Sequence, residues 1–127
     1  MAKLFHYRRV GIVLSVLALV ILTVLLLLPS DKTPQTGTVS DKVLHAVGYF
    51  GLCLPVLLVW PAIWRWVLAL AALHGGMIEI IQPSVGRSAE FADFLANLFG
   101  AGLAVLVALW LNRSGQAQQR KGAKADN

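Results

Sequence analysis

The chain has 127 residues, of which 57% are hydrophobic and only 13% charged, with a mean hydropathy of +0.72. Soluble domains carry about a quarter of charged residues, and one small core cannot hide this much apolar surface, so an ordinary water-soluble domain is excluded. The 11 Lys and Arg against 6 Asp and Glu give +5, but these charges lie between and beyond apolar runs rather than along one stripe, which argues against nucleic acid as a partner.

Residues 1–9 form a basic N-terminus, followed by an uncharged run from Val10 to Leu28. As a helix that run rises about 28 Å, close to the hydrocarbon thickness of a bilayer. A cleaved signal peptide is the competing reading of this start. It is opposed by the length of the run and by Leu27-Leu28-Pro29-Ser30, which offers no small-x-small cleavage site. Thr33 to Thr38 reads as an exposed loop. Further apolar segments run from Val43 to Trp60, from Ile63 to Ile81 and from Phe91 to Leu111. Unpaired backbone amides are costly in hydrocarbon and the alternation of a barrel strand is absent, so each segment is expected to be a helix. The expected fold is an all-α membrane protein, a bundle of four transmembrane helices, with 10–28 as the first span and 40–111 as a core holding the other three. Residues 112–127 read as a disordered basic tail. The single cysteine, Cys53, excludes an internal disulfide.

Eight of the eleven basic residues, Lys3, Arg8, Arg9, Arg65, Arg113, Arg120, Lys121 and Lys124, fall on one side of this arrangement, against Lys32, Lys42 and Arg87 on the other. The positive-inside rule then places both termini and the Trp60-Pro61 turn in the cytoplasm of a multi-pass inner-membrane protein. Trp60, Trp64, Trp66 and Trp110 collect at that same interface.

The polar groups near the spans gather at the opposite, outward end. Asp41, Lys42, His45 and Tyr49 open the second span, and Glu79 and Gln82 close the third. Arg87 and Ser88 occupy the turn between the third and fourth, and Asp93 and Asn97 open the fourth. Asp41, His45 and Tyr49 step by four, as do Asp93 and Asn97, so each set shares a helix face. A charge in mid-membrane costs roughly 2 to 3.5 kcal/mol, and small residues such as Gly100 and Ala101 permit close helix approach, so these stripes are expected to turn inward around an outward-facing polar pocket.

Plainer roles compete with a functional one. Ser40 or Asp41 would cap the second helix, and Asp93 would favour the dipole of the fourth. Glu79 would form a structural ion pair with Arg87, and His74 would serve packing or an interhelical hydrogen bond. Cys53 and Met77 read as core or lipid-facing filler. Asp41, His45, Glu79 and Asp93 are an alternative set for a divalent cation, but one histidine with scattered carboxylates and no metal-binding motif is a weak signal, so no metal is assigned, and no phosphate-cradling loop or cofactor motif is present.

The ordered set Asp41-Lys42, His45, Tyr49, Glu79, Gln82, Gly86-Arg87-Ser88, Asp93, Asn97, Gly100 and Gly102 resembles the signature of VanZ-like membrane proteins. The likeness covers about Ser40 to Leu111. It departs at Glu90-Phe91-Ala92, where the family pattern usually has a small polar residue, which bears on how the fourth helix is capped. The resemblance implies a small bacterial multi-helix envelope protein of a family named for a link to teicoplanin resistance, with no settled reaction.

Two functional expectations follow. In the first, His45, Glu79 and Asp93 act as catalytic groups on a polar lipid headgroup or lipid-linked envelope precursor, with Asp41, Lys42, Tyr49, Gln82, Arg87, Ser88 and Asn97 binding it. In the second, the pocket binds such a component or a glycopeptide without chemistry, or the bundle is a scaffold. Ion or small-solute transport is disfavoured, because the polar groups stop near one face. Four short helices make a small unit, so a homo-oligomer is left open.

Overall fold

The computed structural model describes residues 2–29 and 40–125, and their side chains over 5–29 and 41–118. The loop read at Thr33 to Thr38, Lys32 and the capping side chain of Ser40 lie outside the described residues, as do the side chains of Lys3, Arg120, Lys121 and Lys124. The described residues form four helices and no strand: α1 (Ala2–Leu27), α2 (Ser40–Val59), α3 (Trp64–Ile81) and α4 (Phe91–Ala125). All four are long and apolar enough to cross a membrane.

Contacts fix how the helices run. Gly11 faces Pro55 and Val59, whereas Gly48 faces Leu22, so α1 and α2 are antiparallel. His45 meets Asn97 and Ala46 meets Gly100, so α2 and α4 run the same way. Thr23 meets His74 and Leu26 meets Gln82, which sets α3 parallel to α1. One end of the bundle therefore carries Arg8 stacked over Trp60 at 4.8 Å, and the other carries Arg87 and its neighbours.

The two ends are closed by tight turns of different build. Trp60 leads into a 3-10 turn over Pro61–Ile63, where Pro61 supplies a fixed φ at the first position. At the other end a 3-10 turn over Gln82–Val85 stops at Gly86, whose φ of 77° lies in the left-handed region where a Cβ is strained. That reversal releases Arg87 from the helical path and sends it back over α2.

The packing centre is small-residue work. A Cβ on Gly100 would run into the backbone carbonyl of Ala46, so only glycine permits the α2 and α4 backbones to lie this close. Ala101, Ala104 and Ala108 continue the seam with 0%, 0% and 2% exposure. Pro55 lies within α2, which continues to Val59, and nearby the backbone N–H of Val56 donates to Ser15 Oγ on α1 at 3.2 Å. Outward faces are apolar, Ile80 being 80% and Leu106 66% exposed, as lipid contact requires. Cys53 is buried in the core and Met77 half-exposed on the outer face.

One boundary differs from the sequence reading. The expected fourth span ends at Leu111 with an unfolded tail beyond it, whereas the helical ladder of α4 continues to Ala125. The Gln, Ala, Arg and Lys that predominate from Gln116 to Ala125 are good helix formers, which offset Gly115 and Gly122, and no proline interrupts them. Polarity there sets where the helix leaves hydrocarbon; it does not end the helix.

Candidate functional site

At the Arg87 end, three side chains sit in the seam between α2 and α4 with almost no exposure: His45 at 0%, Asn97 at 0% and Asp93 at 2%. His45 and Asn97 face each other because each lies one turn inside its helix end, on the stripe that the spacing by four defines. Asn97 Oδ1 accepts from His45 Nδ1 at 2.9 Å, so Nδ1 is the donor in this contact. The other ring nitrogen, Nε2, points towards Asp93, whose Oδ2 lies 3.9 Å away, and it has no hydrogen-bond partner.

Above this buried layer lies a rim of ion pairs. Arg87 donates to both carboxylate oxygens of Asp41, each at 3.2 Å. Lys42 Nζ donates to Glu90 Oε2 at 2.8 Å and lies 3.3 Å from Asp93 Oδ1. The Lys42 hydrogen bond and charge hold the Glu90 carboxyl below the usual carboxylate range. Lys42, Glu90 and Asp41 have side chains roughly half exposed, at 45%, 48% and 47%, so the rim is open to solvent while the layer beneath is closed.

Glu79 approaches from α3. Its Oε2 accepts from the backbone N–H of Glu90 at 3.0 Å, and its Oε1 is buried without a partner. The structural pair of Glu79 with Arg87 is therefore not formed: the left-handed Gly86 sends Arg87 to Asp41, and the α3 carboxylate latches the start of α4 instead. A cavity of about 200 Å³ lies beside it, lined by Gly76, Glu79, Ala89, Glu90, Phe91 and Phe94. Of the expected pocket-lining residues only Glu79 reaches this cavity.

The remaining expected site residues separate by depth. Tyr49 lies one turn below His45 and pairs with His74 Nδ1 at 2.7 Å. Thr23 Oγ1 donates to Leu19 O at 2.7 Å and so receives His74 Nε2 at 3.0 Å, which fixes the ring tautomer and makes Tyr49 the donor to Nδ1. This layer ties α1, α2 and α3 together, and His74 has the interhelical role its position implies. Gly75 makes room for it: a Cβ there would meet Asn97 Nδ2 at 3.1 Å and Tyr49 Oη at 3.3 Å. Gln82 Nε2 donates to Leu26 O at 3.3 Å, holding α3 to α1 away from the carboxylates. Ser88 is exposed and donates to Glu90 Oε1 at 3.5 Å.

Two participants escape the sequence reading. Glu90, noticed only as a departure in the cap region, joins Lys42, Ser88 and Glu79 through its side chain and its backbone. Thr23 stands in an uncharged apolar run, and no local spacing links it to His74.

Three groups with metal-ligand chemistry also converge. Asp41, His45 and Asp93 each offer one ligand atom, and these atoms lie within 4.8 Å of one another. The spacing by four on α2 puts Asp41 and His45 on one face, but no local spacing announces that Asp93 joins them from α4.

Comparison with known proteins adds one finding. The sequence model of the family described as VanZ/LLP1 matches residues 12–112. No curated protein and no solved structure matches the chain.

Proposed function

The chain belongs to the VanZ/LLP1 family, and from that premise we propose that it is a multi-pass protein of the bacterial cytoplasmic membrane whose Arg87 end faces outward and binds an anionic headgroup. The ligand is a membrane lipid, a lipid-linked envelope precursor or a glycopeptide, and its capture bears on glycopeptide resistance. Both termini and the Trp60 turn lie in the cytoplasm in this reading, supported by the excess of Lys and Arg at that end.

The observation that carries the proposal is the rim itself. Lys42 and Arg87 stand at the end of the bundle on acidic partners that are half exposed, so a phosphate or carboxylate arriving from the interface competes for their N–H groups without unfolding a helix. Arg87 offers a two-pronged contact and Lys42 a point charge.

The test uses purified protein in nanodiscs. Phosphatidylglycerol and a polyprenyl phosphate are expected to bind, and phosphatidylcholine is not. Arg87→Ala and Lys42→Ala each lower affinity about tenfold, the usual worth of one charge-assisted hydrogen bond. Equal binding of all three lipids, or no effect of either substitution, rejects the proposal.

A second reading adds chemistry on the same headgroup, with His45, Glu79 and Asp93 as acid and base. It is favoured by the orientation of His45, whose Nδ1 is held by Asn97 while Nε2 faces a carboxylate. Mass spectrometry of membrane lipids from cells carrying His45→Ala or Glu79→Gln at normal protein level tests it: a product present only with the intact chain supports chemistry, and identical lipid profiles leave binding alone.

A further inference from the structure

We propose that Asp41, His45 and Asp93 bind a divalent transition-metal ion, with Asn97 as the positioning residue that aims the imidazole. The inference goes beyond headgroup binding, does not require it, and is tested without an anionic lipid.

His45 is the key to the site. It is fully buried, and its Nδ1 faces Asn97 Oδ1 at 2.9 Å as a donor, which leaves Nε2 as the ring nitrogen available to a metal ion. Nε2 has no hydrogen-bond partner and points at a carboxylate, with Asp93 Oδ2 at 3.9 Å. In a region shielded from water that approach is favourable only with a proton or a metal cation between the two groups, and the gap is wider than a direct hydrogen bond. Histidine ligands are typically held in this way, the distal nitrogen donating to a carbonyl or carboxylate while the proximal one meets the metal.

The carboxylates have capacity to spare. Arg87 uses two oxygens of Asp41 and Lys42 lies near one oxygen of Asp93, yet each carboxylate has about four lone-pair sites. Asp93 Oδ1 is buried with no hydrogen bond of its own, the Lys42 contact at 3.3 Å being an ion pair only. The surroundings suit a cation: among the described residues at this end, four carboxyl groups, Asp41, Glu79, Glu90 and Asp93, stand beside two fixed cations, Lys42 and Arg87.

One nitrogen and two carboxylate oxygens suit the borderline ion Zn²⁺, and also Mn²⁺, a harder ion that accepts mixed imidazole and carboxylate ligands, over Mg²⁺ or Ca²⁺, which prefer oxygen alone. Ligand atoms within 4.8 Å of one another close on an ion at about 2.1 Å by small side-chain rotations. Three protein ligands leave a coordination position open towards the Lys42 and Arg87 rim, where an anionic oxygen would complete it.

The experiment is calorimetric titration of Zn²⁺, and separately Mn²⁺, into chelator-stripped protein in phosphatidylcholine nanodiscs. At least one of the two ions is expected to bind at one per chain, with affinity falling at least tenfold in His45→Ala and Asp93→Asn and tenfold or more in Asn97→Ala. Asp41→Asn lies on the half-exposed rim and is expected to retain the fold, so it decides the matter if the buried variants do not fold; it too is expected to lose at least tenfold. His6→Ala, remote on α1, leaves binding unchanged. Failure of both ions to bind the intact chain, or binding that survives Asp41→Asn in full, overturns the proposal. Because no anionic lipid is present, a failure here is separate from a failure of Arg87→Ala to alter headgroup binding.

Discussion

Asn97 Oδ1 and His45 Nδ1 meet at 2.9 Å in a layer that neither water nor lipid reaches. Replacing Asn97 by Leu keeps the approximate shape and removes the acceptor, leaving a buried ring N–H unpaired. The expected cost is about 1–3 kcal/mol, read as a lower unfolding midpoint in detergent. Asn112→Leu, on an exposed surface of α4, is expected to change nothing measurable. Equal stability of the Asn97 variant and the wild type would show that the bond contributes nothing.

The close approach of α2 and α4 predicts opposite outcomes for two neighbouring glycines. At Gly100 a methyl group strikes the Ala46 carbonyl, and backbone cannot swing aside as a side chain can. Gly100→Ala is expected to lose about 1–3 kcal/mol through overpacking. At Gly102 nothing lies within 4 Å of an added Cβ, so Gly102→Ala is expected to gain up to about 1 kcal/mol from helix propensity. Thermal unfolding of both variants checks the sign of each.

Much of this fold is legible in the sequence because lipid imposes a coarse rule: an uncharged run such as Val10 to Leu28 has one stable form in hydrocarbon. The convergence of His45, Asp93 and Asn97 follows from steps of four along two helices. Pairing is less legible. Arg87 finds Asp41 rather than Glu79 because of one left-handed glycine, and the metal-ligand set draws on two helices whose register no local spacing states. Tyr49 shares a stripe with His45 but lies a turn deeper, so its partner is His74 and not the rim. The helix beyond Leu111 was hidden because hydropathy marks the edge of the membrane, while helix propensity decides where the backbone ladder stops.

Glu79 separates a structural from a functional carboxylate. Glu79→Gln keeps an oxygen to accept the Glu90 N–H, whereas Glu79→Ala removes it and costs about 1–3 kcal/mol. The Gln variant is therefore expected to fold within about 1 kcal/mol of the wild type and the Ala variant to unfold earlier. If Glu79 also acts on a bound headgroup, the Gln variant loses that activity at unchanged stability. Parallel unfolding curves and lipid mass spectrometry on the two variants distinguish these roles.

The Lys42–Glu90 pair carries a pH signature with a definite sign. Lys42 holds the Glu90 carboxyl below its ordinary range, so any stabilisation from the pair is fully present above the pKa of an unfolded glutamate and disappears as the pH falls through the lower, folded value. Carboxyl-carbon NMR of Glu90 is expected to show titration shifted to lower pH, returning to the ordinary range in Lys42→Ala and partly in high salt, since both groups are open to solvent. A Glu90 titration unmoved by Lys42→Ala would mean that the pair does not persist in solution.

Orientation decides whether the polar rim can meet an external ligand, and it is accessible to chemical labelling. Cys53 is the single cysteine of the sequence, so a Cys53→Ala background carries no native thiol. In intact cells, Ser88→Cys in that background is expected to react with a membrane-impermeant maleimide, because Ser88 is exposed at the Arg87 end. Arg113→Cys, near the Trp60 end, is expected to react only after permeabilisation. The reverse pattern would place Lys42 and Arg87 in the cytoplasm and confine their ligands to inner-leaflet headgroups and cytoplasmic anions.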